Sequence, residues 1–201
     1  MDQPRASGAA TTGYVIVTLL LVLAVLVYPA FKIADYGRML FGSGSLEVAA
    51  QLDPAQVDLP DGVRLQGWPD ISLEIEDPTT QQILHSAAMD LGPWLLFVAG
   101  LWLLWGLARS VRRGDPFGRQ NVKRLRGLGF LLVLGAPVVE LFNSAVRGSL
   151  LNELPPGRFG DFGMAGFELP AAALLGGLSA FILAEVFAYG LRLREDVEGT
   201  I

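Results

Sequence analysis

Four long apolar runs, separated by polar stretches, dominate the pattern of hydrophobic and polar positions along the chain. Each run is long enough to cross a bilayer as a helix, which takes roughly 17–25 mostly apolar residues. We place the membrane helices at residues 14–33, within a longer helix of residues 78–113, at 127–146 and at 169–191. The pattern therefore predicts an all-α membrane protein with four transmembrane helices.

The first polar stretch, residues 34–77, has the pattern of a small β-rich insertion between the first two helices. Residues 71–76 alternate apolar and polar positions with the period of two that indicates a half-buried strand. Residues 46–48 and 63–66 are typical of shorter strands, and a loop this long without structure would be unusual. We therefore expect a small extracytoplasmic sheet whose buried face carries Ile71, Leu73 and Ile75.

The other polar segments are short. They are an N-terminus, a basic loop, a second loop and a polar tail, at residues 1–13, 114–126, 147–168 and 192–201. Two Asp-Pro pairs, at residues 77–78 and 115–116, have the residue types that begin helices, because Asp caps a helix and Pro fits its first position. Gly114 is expected to end the second long helix.

Charge divides the chain between two sides of a membrane. Residues 34–90 hold ten acids and two bases, whereas residues 108–127 hold seven bases and one acid, Asp115. Because Lys and Arg near the ends of membrane helices collect on the cytoplasmic side, residues 108–127 and both termini should face the cytoplasm. Residues 147–168 then lie outside with the sheet. Thirteen arginines against two lysines fit GC-rich bacterial coding, so we expect a multi-pass protein of the bacterial cytoplasmic (plasma) membrane.

Composition argues against an enzyme. The chain has no cysteine and one histidine, His85, which excludes disulfides, zinc–thiolate sites, iron–sulfur clusters and paired-histidine metal sites. The sequence has no phosphate-cradling glycine loop and no nucleophile elbow. We therefore predict no catalytic residues, no cofactor and no metal.

Two stretches of sequence resemble a known family. They are residues 113–117, Arg-Gly-Asp-Pro-Phe, followed by Asn121 and by Arg-Leu-Arg at 124–126, and the closing residues 193–201. Together with the four apolar runs they resemble the bacterial membrane-protein family called domain of unknown function 2975. The resemblance implies no established activity. It implies a partnership with a small helix-turn-helix regulator encoded nearby.

Residues near the second Asp-Pro pair are candidates for a structural or coupling role. Their simplest interpretation is mechanical: one residue caps a helix and Phe117 anchors it at the membrane interface. The bases of residues 109–126 can also attract anionic lipid headgroups, at about 1 kcal/mol each, or bind a cytoplasmic protein. Direct nucleic-acid binding is not expected, because no binding fold accompanies the bases. The candidates are Asp115, Pro116, Phe117, Asn121, Arg124 and Arg126.

Two acids inside predicted membrane helices, Glu140 and Glu185, are further candidates. A charge at the centre of a membrane helix costs about 2.5–3.5 kcal/mol on insertion scales. Each acid is interpreted either as structurally paired with a base or as part of a proton or ion path. For Glu185 the first candidate base is Arg192, and Arg109 and Arg112 are the alternatives.

Small residues recur every four positions along the fourth membrane helix. Such a ridge lets helices approach closely in lipid, and it can serve the bundle itself or a homo-oligomer. Its members are Ala172, Gly176, Ala180, Ala184 and Ala188.

The function that these features favour is non-enzymatic. We expect a membrane sensor or accessory protein that couples the outer domain to a cytoplasmic partner through the basic loop of residues 109–126. The alternative is a small transporter or channel-like component that uses Glu140 or Glu185. A relay would align the acids along a wet path, whereas a sensor would hold them in ion pairs.

Overall fold

Long helices make up most of the computed structural model, which describes residues 8–51, 70–152 and 167–198. The elements are α1 Gly8–Val22, a π-helical turn Leu23–Val27, α2 Tyr28–Leu40, β1 Leu46–Gln51, β2 Asp70–Ile75, α3 Thr80–Arg112, α4 Arg119–Phe130, a second π-helical turn Leu131–Gly135, α5 Ala136–Asn152 and α6 Ala171–Glu198. Four helical segments are long and apolar enough to cross a membrane, namely Thr11–Leu40, Thr80–Arg112, Arg119–Asn152 and Ala171–Val197. This confirms the predicted set of four helices and indicates a multi-pass membrane protein.

The first and third of these helices extend past the predicted membrane segments. The first continues to Leu40 instead of ending near residue 33, and the third runs from Arg119 to Asn152 instead of from 127 to 146. About 20 residues are enough to cross the hydrocarbon core. The extra turns carry polar residues, which hydropathy alone assigns to loops although they remain helical.

The end of α3 follows the sequence prediction. Gly114 adopts a left-handed φ of 81°, which glycine tolerates because it has no Cβ. Its N–H donates to the carbonyl of Val111 at 3.0 Å, and the N–H of Asp115 donates to the carbonyl of Ser110 at 3.2 Å. These two bonds form a Schellman motif and satisfy the last carbonyls of the helix.

The predicted helix starts need correction. Thr79, not Asp77, caps α3: the Gln82 N–H donates to Thr79 Oγ1, and the Thr79 N–H donates to Gln82 Oε1 at 2.9 Å. This reciprocal pair is a capping box. Asp115 does not cap α4 either, because Gly118 takes the cap position and a capping side chain reaches only two or three residues ahead.

Each of the two π-helical turns precedes a proline. The turns Leu23–Val27 and Leu131–Gly135 begin six residues before Pro29 and Pro137 respectively. Proline has no N–H and cannot complete the helical ladder. The same local sequence cause therefore explains both departures from α-helical geometry.

A tryptophan completes the hydrogen bonding at the first π-helical turn. The Tyr28 N–H donates to the carbonyl of Leu23, five residues back, so the carbonyl of Ala24 would next require the N–H of residue 29, which is proline. Trp94 of α3 supplies the missing donor, with its Nε1–H bonded to the Ala24 oxygen at 2.8 Å. Because an unpaired carbonyl in a membrane is costly, this bond ties α3 to the first helix.

Contacts within the chain divide it into two compact units. The first comprises Met1–Pro29, Pro93–Pro137 and Pro170–Ile201, and the second comprises Ala30–Gly92 and Val138–Leu169.

The second unit contains the sheet. Strands β1 and β2 pair antiparallel, and Leu46 and Val48 of β1 form a buried core with Leu150 and Leu151 of α5. The predicted apolar face is confirmed, because the side chains that pack against this core include Ile71, Leu73 and Ile75. The predicted strand at residues 63–66 lies outside the described residues.

In the first unit, α6 packs closely on α4 through small residues. Ala180 and Ala184, near the centre of the predicted ridge, are buried within the chain. A Cβ on Gly177 would come within 3.0 Å of the Gly129 carbonyl, and a Cβ on Gly129 would lie 2.9 Å from the Phe181 ring. The ridge therefore serves contacts inside the chain, and a homo-oligomer could use only its remaining members.

Candidate functional site

The predicted candidates of the basic loop come together in the first unit, where the end of α3, the start of α4 and the last turns of α6 meet. We call this cluster the clasp. Its members are Asp115, Phe117, Arg119, Asn121, Arg124 and Arg126 from the loop and α4, and Glu185, Phe187, Arg194 and Glu195 from α6.

Asn121 is the centre of the clasp. Its side chain is fully buried, and its Nδ2 donates to the backbone carbonyls of Asp115 at 3.1 Å and Pro116 at 2.9 Å. Its Oδ1 accepts from Arg124 Nη1 at 2.8 Å, and Ser110 Oγ donates to the same Asp115 carbonyl at 2.8 Å. One amide therefore holds the loop against the first turn of α4, using both its donors and its acceptor.

Arg124 fills the space between α4 and α3. A Cβ on Gly106 of α3 would lie only 2.6 Å from Arg124 Nε, so the guanidinium lies directly on the α3 backbone. The glycine makes this approach possible, and the bond to Asn121 sets the direction of the side chain. The geometry assigns Arg124 a structural role within the unit.

Phe117 contacts α6. Its ring centroid lies 5.1 Å from that of Phe187, and a Cβ on Gly190 would lie 3.1 Å from Phe117 Cδ1. Aromatic pairs at this separation are favourable by about 0.5–1.5 kcal/mol beyond their area burial. Phe117 therefore holds the loop against the last membrane helix.

Three ion pairs connect the loop and α4 to α6. Arg126 pairs with Glu185 at 2.8 Å, Arg119 with Glu195 at 2.8 Å, and Arg194 with Asp115 at 3.3 Å. In each pair both side chains are at least 47% exposed. The Arg119–Glu195 and Arg194–Asp115 pairs lie outside the predicted membrane segments, and exposed pairs of this kind typically contribute about 0–1 kcal/mol each. A competing charge could therefore open these two contacts at low energetic cost.

The partner of Glu185 differs from the expected one. Glu185 does pair with a base, but the base is Arg126 of α4 rather than Arg192, Arg109 or Arg112. Seven residues along a helix correspond to a rise of roughly 10.5 Å, which is too far for a direct pair between Glu185 and Arg192. Arg192 is exposed and has no ion pair with the described residues.

Glu140 belongs to the second unit, whereas the clasp residues belong to the first. It is a half-buried residue of α5, and within the described parts of the chain its side chain has no ion pair. Within the first unit, the structure therefore brings the basic-loop candidates together with Glu185.

A polar cluster in the second unit was not predicted. Lys32 Nζ lies 2.7 Å from Asp90 Oδ2, and the Tyr36 hydroxyl donates to the same oxygen at 2.5 Å. Ser86 Oγ is 3.4 Å from that hydroxyl. The residues lie four apart on each helix, so each pair occupies one helix face. The spacing of four, with a base on one helix and an acid on the other, was the sequence pattern that could have predicted this cluster.

Comparison with known proteins places the chain in a family. The family model described as "Protein of unknown function (DUF2975)" matches residues 55–201. The chain therefore belongs to the DUF2975 family. No curated protein and no solved structure matches it.

Proposed function

We propose that this member of the DUF2975 family is a non-enzymatic coupling protein of the bacterial plasma membrane. In this proposal the sheet is extracytoplasmic, and both termini and the clasp face the cytoplasm. The sheet senses a condition outside, and a cytoplasmic protein binds the basic loop of residues 109–126. A small helix-turn-helix regulator is the proposed partner, so any effect on nucleic acid would pass through that protein.

One observation carries the proposal: the helical segment Arg119–Asn152 contributes to both the sheet core and the clasp. Leu150 and Leu151 at its C-terminal end are buried against the strands. Arg119, Asn121 and Arg126 at its N-terminal end hold the loop and α6. In this proposal, the helical segment transmits a displacement of the sheet to the clasp.

The clasp suits a switch because its parts differ in strength. The buried Asn121 network fixes the loop on α4, whereas the Arg119–Glu195 and Arg194–Asp115 pairs to α6 are exposed and weak. A bistable element needs states that differ by only a few kcal/mol. Opening the ion pairs would free the α6 end and expose charges of both signs to a partner.

Spin-label distances would test the coupling. Labels on Lys123→Cys in α4 and Val197→Cys in α6 report the clasp without altering its ion pairs, since both positions are exposed. We expect Val48→Asp, which places a charge in the sheet core, to broaden or lengthen the distance distribution. Ala49→Asp is the matched control, because this neighbouring residue is exposed. An unchanged distribution in a folded Val48→Asp protein would contradict the proposal.

The alternative function is a proton or ion path. Of the two candidate acids, Glu140 is the one that favours it, because it has no ion pair with the described residues. Glu185 pairs with Arg126, as a structural acid would. We predict that Glu185→Gln lowers the thermal stability of the detergent-solubilised protein and leaves ion flux in proteoliposomes unchanged. Glu140→Gln serves as the comparison variant. Flux that depends on Glu185, together with unchanged melting, would favour the transporter over the coupling protein.

A further inference from the structure

A row of aromatic and basic side chains runs along one face of α3 at its C-terminal end. Trp102, Trp105, Arg109 and Arg112 are spaced by three and four residues, which places them on the same side of a helix. Trp105 is fixed by two contacts with the first helix. Its Nε1–H donates to Thr18 Oγ1 at 3.1 Å, and its ring lies 6.2 Å from that of Tyr14.

Two arginines of this row lie over aromatic rings. The Arg112 Cζ is 4.0 Å from the centroid of Tyr14, and the Arg109 Cζ is 5.3 Å from the centroid of Trp105. A guanidinium over a ring is held by the ring quadrupole. A guanidinium that stacks on a ring keeps its in-plane N–H donors available for a planar, bidentate acceptor.

The two arginines also differ from the other bases nearby. Arg119, Arg126 and Arg194 each pair with a carboxylate. Within residues 8–51, 70–152 and 167–198, Arg109 and Arg112 have no carboxylate partner. Two oriented guanidinium groups three residues apart, with donors available and no internal anion, form a site for an oxyanion.

We propose that Arg109 and Arg112, positioned by Trp105 and Tyr14, bind the phosphate of an anionic phospholipid headgroup. Phosphate oxygens accept paired hydrogen bonds from arginine, and such charge-assisted bonds are among the stronger ones. Aromatic rings with an apolar body and a polar edge collect at the boundary between hydrocarbon and headgroups. A lipid with its headgroup on the arginines would place its acyl chain along the exposed Trp102 face of α3.

Lipid binding to the purified full-length protein in detergent tests this site. Native mass spectrometry would compare retention of dioleoylphosphatidylglycerol with that of dioleoylphosphatidylcholine. We expect the wild type to retain the glycerol lipid selectively. Arg109→Gln/Arg112→Gln should reduce its affinity by at least about 10-fold, because two groups that make charge-assisted hydrogen bonds to the phosphate are lost. Equal retention of the two lipids by the wild type would overturn the proposal.

Two further variants separate a built site from general attraction by positive charge. Arg113→Gln removes a neighbouring exposed base that lies over no aromatic ring of the described residues, and this variant should bind the lipid as the wild type does. Arg109→Lys/Arg112→Lys keeps the charge and loses the planar fork, and it should bind more weakly. Binding by the lysine variant at the wild-type level, or a loss in Arg113→Gln as large as that in the glutamine variant, would overturn the proposal. If Arg109→Gln/Arg112→Gln does not fold, the affinity of Arg109→Lys/Arg112→Lys for the lipid still tests the proposal.

Inorganic phosphate distinguishes the source of the anion. Millimolar phosphate should neither displace the bound glycerol lipid nor reproduce its effect on the melting temperature, because the bound lipid also contacts apolar surface. Phosphate that does both would assign the site to a free anion and overturn the lipid proposal. Neither result depends on the spin-label measurement, so the lipid site and the coupling function are tested separately.

Discussion

Asn121 determines the conformation of the loop before α4 because every polar atom of its side chain has a partner inside the protein. It donates to two loop carbonyls and accepts from Arg124, and it is fully buried. A buried amide is compatible with folding only when its hydrogen bonds are made. The loop is therefore fixed by a residue that follows it, and not by the aspartate whose residue type suggests a cap.

Replacing this amide should destabilise the protein. We predict that Asn121→Ala lowers the free energy of unfolding by about 2–3 kcal/mol, because the Asp115 and Pro116 carbonyls each lose a donor and Arg124 loses its acceptor. Thermal denaturation in detergent would measure the change. Gln120→Ala, at the exposed neighbouring position, should stay within about 0.5 kcal/mol of the wild type. Similar losses in both variants would show that the Asn121 network is not what holds the loop.

The sequence could predict several residues of the clasp but not which of them pair with one another. Asp115, Asn121 and Arg126 could be singled out from sequence, and the structure brings them together. Arg119 and Glu195 could not, because a pair between two helices depends on their rotation and approach. That approach is set by close contact of glycine and alanine positions on α4 and α6. The small-residue ridge of α6 could be predicted from the sequence, but the helix that it contacts could not.

At the level of elements, the first π-helical turn results from a proline and a tryptophan acting together. Pro29 removes a donor, and Trp94 supplies one to the Ala24 carbonyl. An α-helical prediction includes neither event, because the donor comes from a residue 70 positions away. The energetic contribution of the Trp94 hydrogen bond should therefore depend on Pro29.

A double-mutant cycle would measure that dependence. We predict that Trp94→Phe costs about 1 kcal/mol in the wild type, the usual net value of a hydrogen bond. It should cost less in a Pro29→Ala background, because the restored N–H can serve the helical carbonyls. Unfolding free energies of the four proteins give the coupling term. Additive effects would contradict the assignment of the π-helical turn to the missing proline donor.

The contact of α6 with the second π-helical turn gives a sharper test at the element scale. A Cβ on Gly177 would lie 2.6 Å from Val133 Cγ2, whereas a Cβ on Gly176 would meet only Leu132 Cδ1 at 3.6 Å. We predict that Gly177→Ala destabilises by about 1–3 kcal/mol through overpacking. Gly176→Ala should be neutral or stabilising, because alanine favours helix. Thermal denaturation would compare the two adjacent variants. Equal melting temperatures would contradict the register in which α6 packs on α4.

For the whole molecule, the apolar runs and the strand pattern were sufficient to predict the main elements. Four long helices and the strands that contain residues 46–48 and 71–75 follow from lengths and periods that can be counted along the chain. The helix ends were less predictable. Residues 119–126 continue as helix although they are strongly basic, since hydropathy reports the solvent around a residue and not its backbone conformation.

Orientation in the membrane can be measured directly because the chain has no cysteine, so each introduced thiol is unique. We predict that Glu76→Cys, next to the sheet, reacts with a membrane-impermeant maleimide in intact cells. Lys123→Cys in α4 should react only after permeabilisation, because the excess of bases near it favours the cytoplasmic side. Both positions are exposed, so a failure to react reports the membrane and not burial. The opposite pattern would put the clasp outside the cell, where no cytoplasmic regulator could reach it. The proposed coupling function would then be wrong, whereas the lipid site on α3 would stand, because anionic phospholipid can meet either end of a membrane helix.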